Sequence, residues 1–465
     1  MPRPLRQLLA SIAVVVLAST ALRSSVARTR EPRQLASRDS HVVVISLDGF
    51  PARMLNDPDV PLPALRALAA RGAVADGMRP VNPAVTWPNH TTFVTGVTAA
   101  RHGVLFNGLL VRDRGGMPPH VEPWRDKREM VRVPTVYDLA HARGLTTAEV
   151  DWVAIQNPGT ITWAFSERPD PQSTIARELV AAGAISPDDL QAFDRHNVLW
   201  RDHIWTSAAT HILQRHHPNL LLFHLLNLDS TEHRYGPGSP PAMTAMALLD
   251  SQLARVVDAI DRSGLRDRTT IVVVSDHGFR QVTRLIQPNT ALRTAGLLKA
   301  NSEGITSCDA YVLAEGGTAF VYVTRPDASG DLLRRVRNSL EQLEGVDRVI
   351  DAAGYAALGL PSPADNEQMP ALLLTAKDGY GFGGSADGEP VVETSDRLGQ
   401  HGYLASDPQM NAIFVAAGRG IARGTKMGTI DNVDVAPTIA ALLGLDLGPV
   451  DGRPLAQVLE ATTNR

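Results

Sequence analysis

Apolar residues along this chain fall in short runs that alternate with segments of helical spacing. Val42 to Leu47, Leu220 to Leu228 and Thr269 to Ser275 are apolar runs of the length and β-branched character of strands buried on both faces. Between them, Pro63 to Arg71 has helical spacing and stops at Gly72, Val133 to Arg143 repeats that pattern before Gly144, and Met243 to Ile260 is long and amphipathic. Strands alternating with helices predict an α/β fold, a three-layer α/β/α sandwich around a largely parallel central sheet. The texture changes between Phe279 and Gly399. Thr318 to Val323 and Val346 to Asp351 read as strands, Leu332 to Glu344 as a helix, and Pro370 to Thr375 as a further short apolar run. This predicts a small inserted α+β subdomain, residues 280–398, between core segments 41–279 and 399–465. The main pattern resumes with a strand over Asn411 to Ala416 and a helix over Val433 to Leu443, stopped at Gly444.

The first 27 residues break the pattern. Arg3 and Arg6 precede the mostly apolar stretch Leu8 to Leu22, and Ser25-Val-Ala27 offers small residues for cleavage. The reading is a signal peptide, since the stretch is short against the ~20 residues a spanning helix needs. A polar leader over 28–40 follows. Removing residues 1–27 takes away three arginines and no acids, moving the formal charge from −4 to −7. That balance gives no support for a stable nucleic-acid partner or a basic membrane-surface role. The single cysteine, Cys308, excludes an internal disulfide. The expectation is a periplasmic or secreted protein with no membrane span after signal cleavage; the sequence sets no oligomeric state.

Chemistry-bearing residues sit at the ends of the apolar runs. Asp48 follows the first strand and precedes Gly49, beyond the carboxyl end, where open sheets place ligands. Such an Asp binds a metal or caps the next turn. Thr86-Trp87-Pro88-Asn89-His90 places Thr86 just before a helix that opens at Pro88 and runs to Gly96. Free N–H groups there favour a phosphate, although a turn hydroxyl is the plainer reading of Thr86 alone. Asp229 and His233, four apart after a strand, share one helical face. Asp276-His277 reach one ion only if the backbone turns sharply, which Gly278 permits. His401 lies among Gly399, Gln400 and Gly402, small neighbours that admit a ligand. Carboxylates and neutral imidazoles suit zinc, with manganese or iron as substitutes. His90 and His102 read as supporting or structural, and His216-His217 before Pro218 as a solvated turn.

In this order and spacing the motifs resemble the alkaline phosphatase superfamily, within it the nucleotide pyrophosphatase/phosphodiesterase (type I phosphodiesterase) family. The similarity runs from about residue 41 to 454 and includes Arg101-His-Gly-Val-Leu-Phe-Asn107-Gly and Asp229-Ser-Thr-Glu-His-Arg-Tyr-Gly-Pro237. The resemblance implies an alkaline phosphatase-like fold and a site with two Zn2+. One zinc is held by Asp229, His233 and His401; the other by Asp48, Asp276, His277 and the Thr86 oxygen. It further implies Thr86 as a nucleophile that forms a covalent intermediate, and Asn107 as a hydrogen-bond donor to a non-bridging phosphate oxygen. Two ions ~3.5–4 Å apart stabilise both the attacking and leaving oxygens of an in-line displacement. Trp87 is placed to stack on a substrate base or to cover the helix start, and Asp151 to Gly159 to form a substrate wall.

The expected activity is hydrolysis of small-molecule phosphodiesters or nucleotide phosphoanhydrides. A phosphomonoesterase needs an extra cation, and none is assignable. A lipid-headgroup phosphodiesterase or a phosphonate hydrolase shares the metal core. A binding protein on an inactive phosphatase fold predicts missing ligands, whereas all six, with Thr86 and Asn107, are present.

Overall fold

The computed structural model describes residues 39–112, 115–325 and 330–460, with backbone alone at 395–397. The expected signal peptide, and the leader up to its last two residues, lie outside the described residues. No helix among the described residues is long and apolar enough to cross a membrane.

The strand His41–Leu47 is buried at every position. Its alternate side chains feed two cores. Val43, Ile45 and Leu47 face helices Pro63–Arg71, Val198–Arg215 and Pro240–Arg262. Val42 and Val44 face helices Thr86–Thr95, Val136–Ala142 and Val435–Leu443. Each such side chain contributes about 1.5–3 kcal/mol on burial. A one-residue slip would exchange the two faces, so the register is fixed by packing on both sides.

This strand runs parallel to Leu220–Leu225 on one side and to Thr269–Val274 on the other, with Val42 opposite both Leu220 and Thr270. Among the described residues the sheet has eight strands in the order Thr425–Asp431, Ala73–Arg79, Phe414–Gly418, Thr269–Val274, His41–Leu47, Leu220–Leu225, Thr147–Val150, Trp163–Phe165. All neighbouring pairs are parallel except the two made by Phe414–Gly418. The sheet is therefore mixed, largely parallel with one reversed strand, and helices cover both faces.

Several element bounds differ from the sequence expectation. The apolar run after Leu220 ends as a strand at Leu225, and Asn227–Tyr235 is a helix. Two buried Asp202 oxygens accept the N–H groups of Leu226 and Asn227, turning the chain out of the sheet. The helix expected from Val133 begins at Val136 behind a Thr135–Asp138 capping box. The helix expected from Val433 begins at Val435 after a short 3-10 turn. The helix expected to open at Pro88 begins at Thr86 itself, so Pro88 is its third residue rather than its first.

Within 280–398, strands Ala310–Glu315, Thr318–Val323, Leu372–Ala376 and Val346–Asp351 form an antiparallel sheet. One face packs on Leu332, Val336 and Leu340 of helix Gly330–Glu341. The other face, with Phe320, Tyr322 and Leu373, shares a core with Leu105, Phe106 and Leu110 of the main body. A second small sheet joins Arg280–Ile286 to Tyr380–Phe382 and Val391–Gln400, and so carries the chain back toward His401.

Candidate active site

Asp48, Asp229 and Asp276 follow three adjacent central strands, and all three emerge at the carboxyl end of the sheet. Gly49 takes the left-handed conformation (φ 72°), and a Cβ there would lie 2.6 Å from the Phe279 ring and 3.3 Å from Asp229 Cα. The glycine lets the Asp48 and Asp229 backbones approach. Gly278 serves differently from the expectation. Its backbone is not left-handed; instead a Cβ would meet Gln409 O at 2.1 Å. The close approach of the segment before Phe414–Gly418, rather than a sharp turn, is what demands glycine there.

The six expected ligands come together. His277 Nε2 lies 3.2 Å from Asp276 Oδ2 and 3.6 Å from Asp48 Oδ1. Asp229 Oδ1 lies 3.5 Å from His233 Nε2 and 3.7 Å from His401 Nε2. Potential ligand atoms of Asp229, His233 and His401, and likewise of Asp48, Asp229 and His277, lie within 4.8 Å of one another. Asp229 thus reaches both groups.

The donor atoms are prepared for a cation. His233 Nδ1 donates to Gly399 O and His401 Nδ1 to Ala84 O, each at 3.1 Å, which leaves the Nε2 lone pairs facing Asp229. Asp276 Oδ1 accepts the N–H groups of Gly49 and His277. Asp48 Oδ1, Asp229 Oδ1, Asp276 Oδ2 and His277 Nε2 are buried without a hydrogen-bond partner. Unpaired buried carboxylate oxygens are costly. Burial and the mutual repulsion of the carboxylates push Asp48 well above the usual carboxylate range, and burial pushes Asp229 up. Burial holds His277 down at about 3 and His401 well below its ordinary value, both neutral as metal ligands must be. Three carboxylates and three imidazoles fit divalent cations.

Thr86 opens helix Thr86–Thr95, and its hydroxyl has no hydrogen-bond partner among the described residues. Two contacts tie it to the ligand cluster. His90 Nδ1 bonds the Thr86 carbonyl at 2.9 Å and lies 3.7 Å from Asp276 Oδ2. Two residues before Thr86, Ala84 O accepts both His401 Nδ1–H and Gly402 N–H. Asn107 Oδ1 accepts the Trp87 N–H at 3.0 Å, satisfying a free helix-end donor and leaving the Asn107 amide N–H groups available at an exposed position. The Asn107 loop is buttressed by the insertion: Leu110 N donates to Gln368 Oε1, Gln368 Nε2 to Gly103 O, and Phe106 packs on Phe320. Trp87 is only 6% exposed, among Val104, Met130, Val131 and Val153, so it covers the helix start from within a core.

The sequence reading missed the supporting role of three residues. His224 lies in the strand Leu220–Leu225 and bridges two acids, with Nε2 3.0 Å from Asp48 Oδ2 and Nδ1 3.0 Å from Asp151 O and 3.2 Å from Asp151 Oδ2. Burial disfavours its charge, but the two carboxylates outweigh that and raise it well above the usual histidine value. Asp151 is held at φ 56°, a costly conformation for a residue with a Cβ. The expected substrate wall after Asp151 therefore begins as a support for Asp48. Phe279 is fully buried, with its ring edge-to-face against His233, His277 and His401. A histidine inside an apolar run was the only trace of this support in the sequence.

The profile of the type I phosphodiesterase / nucleotide pyrophosphatase family matches residues 42–404, a span that takes in every residue of this cluster. The chain belongs to that family. Type I phosphodiesterases / nucleotide pyrophosphatases are metal-dependent hydrolases of phosphoric diester and pyrophosphate bonds, and this chain is an enzyme of that class. Among curated relatives, human ectonucleotide pyrophosphatase/phosphodiesterase family member 7 is 25% identical over 425 residues, covering 89% of this chain and 82% of that protein. Bis(5'-adenosyl)-triphosphatase enpp4 of Xenopus laevis is 23% identical over 425 residues, covering 88% and 79%. The fold is shared with human ectonucleotide pyrophosphatase/phosphodiesterase 5 at a TM-score of 0.69 and 18% identity, over 91% of this chain and 100% of that one. A murine form of the same protein, an inactive threonine-to-alanine variant in complex with AMP, matches with a TM-score of 0.69 over 90% of this chain and 100% of that one.

Proposed function

We propose that the chain is an exported two-zinc phosphodiesterase that hydrolyses nucleotide phosphodiester or phosphoanhydride bonds through a covalent Thr86 intermediate. The observation that carries this is the convergence of unpaired carboxylate and imidazole atoms near the helix end that begins at Thr86, to which Asn107 is tied through the Trp87 N–H. Asp229, His233 and His401 would hold one ion, and Asp48, Asp276, His277 and the Thr86 oxygen the other. Bound zinc supplies positive charge that lowers the pKa of a nearby hydroxyl or water and offsets charge on the leaving oxygen.

In the first step the Thr86 hydroxyl gives up its proton and Oγ bonds to phosphorus as the bond to the leaving oxygen breaks, the leaving oxygen taking up a proton. In the second, water attacks the same phosphorus, the Thr86–phosphorus bond breaks, and the monophosphate is released with Thr86 restored. The Asn107 amide donates to a non-bridging oxygen through both steps, held in place by its carbonyl's bond to Trp87 N–H. The neutral Asn107 suits a diester phosphate better than a doubly charged monoester. A nucleotide substrate is supported by the AMP bound to the murine neighbour and by the diadenosine triphosphatase name of the Xenopus relative. The threonine-to-alanine change that inactivates the neighbour supports a threonine nucleophile. Export rests on the signal-peptide pattern of residues 1–27.

The test compares kcat/KM for bis-p-nitrophenyl phosphate and p-nitrophenyl phosphate on the zinc-loaded protein. A strong diester preference is expected, followed by release of a nucleoside monophosphate from dinucleoside polyphosphates. A monoester preference would overturn the reading.

A further inference from the structure

A second cluster of metal-binding side chains lies apart from the residues described above. Glu178 belongs to helix Thr174–Ala181, His211 to the last turns of helix Val198–Arg215, and His216 is the residue that ends that helix. His211 Nε2 is 2.8 Å and His216 Nε2 2.7 Å from one and the same oxygen, Glu178 Oε2. The sequence pattern placed His216 in a solvated turn. Instead its ring stacks on Trp163 at 4.8 Å and 29°, and its side chain is only 18% exposed, as is that of His211. The helix ends in time to aim the ring inward because His217 takes the left-handed conformation (φ 50°) just before Pro218.

Two imidazole nitrogens and one carboxylate oxygen converging on a point are the ligand set of a borderline divalent metal, with a solvent-facing position left over. The N···O distances are those of hydrogen bonds, so both Nε2 atoms carry protons in this state. Replacing those protons by an ion at ~2.0–2.1 Å from each nitrogen needs the three groups to part by only about half an ångström. The nitrogen donors disfavour calcium and magnesium. We infer that Glu178, His211 and His216 form a third metal site, for zinc or a similar divalent transition ion, that clips helix Thr174–Ala181 to the end of helix Val198–Arg215. The site is independent of the catalytic assignment. It brings together segments flanking the strand Trp163–Phe165, which among the described residues has a sheet neighbour on one side only.

The test counts zinc per chain by elemental analysis after equilibration of the whole protein in a zinc buffer that keeps diester turnover saturated. The wild type is expected to hold one ion more than the His211→Gln/His216→Gln variant, with equal turnover of bis-p-nitrophenyl phosphate. Equal zinc content with equal turnover overturns the site. Should the double variant fail to fold, Glu178→Gln, which keeps a hydrogen-bonding oxygen and removes the charge, is read in the same way. When Cu2+ is added to the zinc-loaded wild type and to His211→Gln, the wild type is expected to give an electron paramagnetic resonance signal coupled to two nitrogens that the variant lacks; identical spectra overturn the site.

Discussion

Replacing His224 with leucine tests whether Asp48 is positioned from behind. Leucine keeps most of the volume within the strand but removes the bonds to Asp48 Oδ2 at 3.0 Å and to Asp151 at 3.0 and 3.2 Å. All three side chains are at most 2% exposed, so water does not replace what is lost. Hydrogen bonds to charged groups contribute about 1.5–3 kcal/mol each, so losing two destabilises the protein by about 3–6 kcal/mol. At about 2.1 cal/mol/K of unfolding entropy per residue, a body of roughly 420 residues then melts about 3–7 °C lower. Freed from His224, Asp48 is less well oriented toward a cation, and loss of such a support weakens metal affinity by about 10–100-fold. The assay is turnover of a chromogenic diester across a series of zinc buffers, read beside the melting temperature. The half-activating zinc concentration should rise while the rate at saturating zinc falls much less. Asp151→Asn should have a milder effect in the wild type and almost none on zinc affinity in the leucine variant. An unchanged zinc requirement in the folded leucine variant would refute the reasoning.

Thr86→Ala should abolish turnover with metal content near that of the wild type; a surviving wild-type rate would remove Thr86 from the nucleophile's place. Gly278→Ala puts a Cβ 2.1 Å from Gln409 O, so soluble yield and melting temperature should both fall sharply, whereas a wild-type melting curve would mean that the segment yields freely. Burial holds His102 down to about 3, with Nε2 on the Thr92 hydroxyl and Nδ1 accepting from Val104 N. Its folded pKa lies below its unfolded value of about 6.5, so the unfolded chain takes the proton first and stability falls as pH drops from about 6.5 toward about 3. His102→Gln should flatten denaturant-measured stability across that window by up to about 1.4 kcal/mol per pH unit; an unchanged slope would contradict a neutral buried imidazole.

The parts of the molecule legible in the sequence are those where local pattern and tertiary packing agree. Val42 to Leu47 is apolar because both faces are covered, and a strand follows. Asp48 and Asp276 stand just past such strands and Asp229 just inside the next helix, and it was the resemblance of their motifs to a known family that implied one shared site. What the pattern missed depends on contacts across the chain. The strand after Leu220 stops early because Asp202, on a preceding helix, takes the next two N–H groups. The reversal of Phe414–Gly418 leaves no mark on its own residues, since an apolar strand reads the same in either direction. His224 resembled an interruption in a core strand, and only the nearness of Asp48 and Asp151 gives it a role. His216 sat in a sequence typical of a surface turn, and only Trp163 and Glu178 turn it inward.

The order of the central strands also dictates when this protein becomes whole. Ala73–Arg79 has for neighbours Phe414–Gly418 and Thr425–Asp431, which are made long after it. Until they are made, Ala73–Arg79 has no strand beside it in the sheet and that flank stays open. A chain cut short of Phe414 would therefore be left unsealed along that flank.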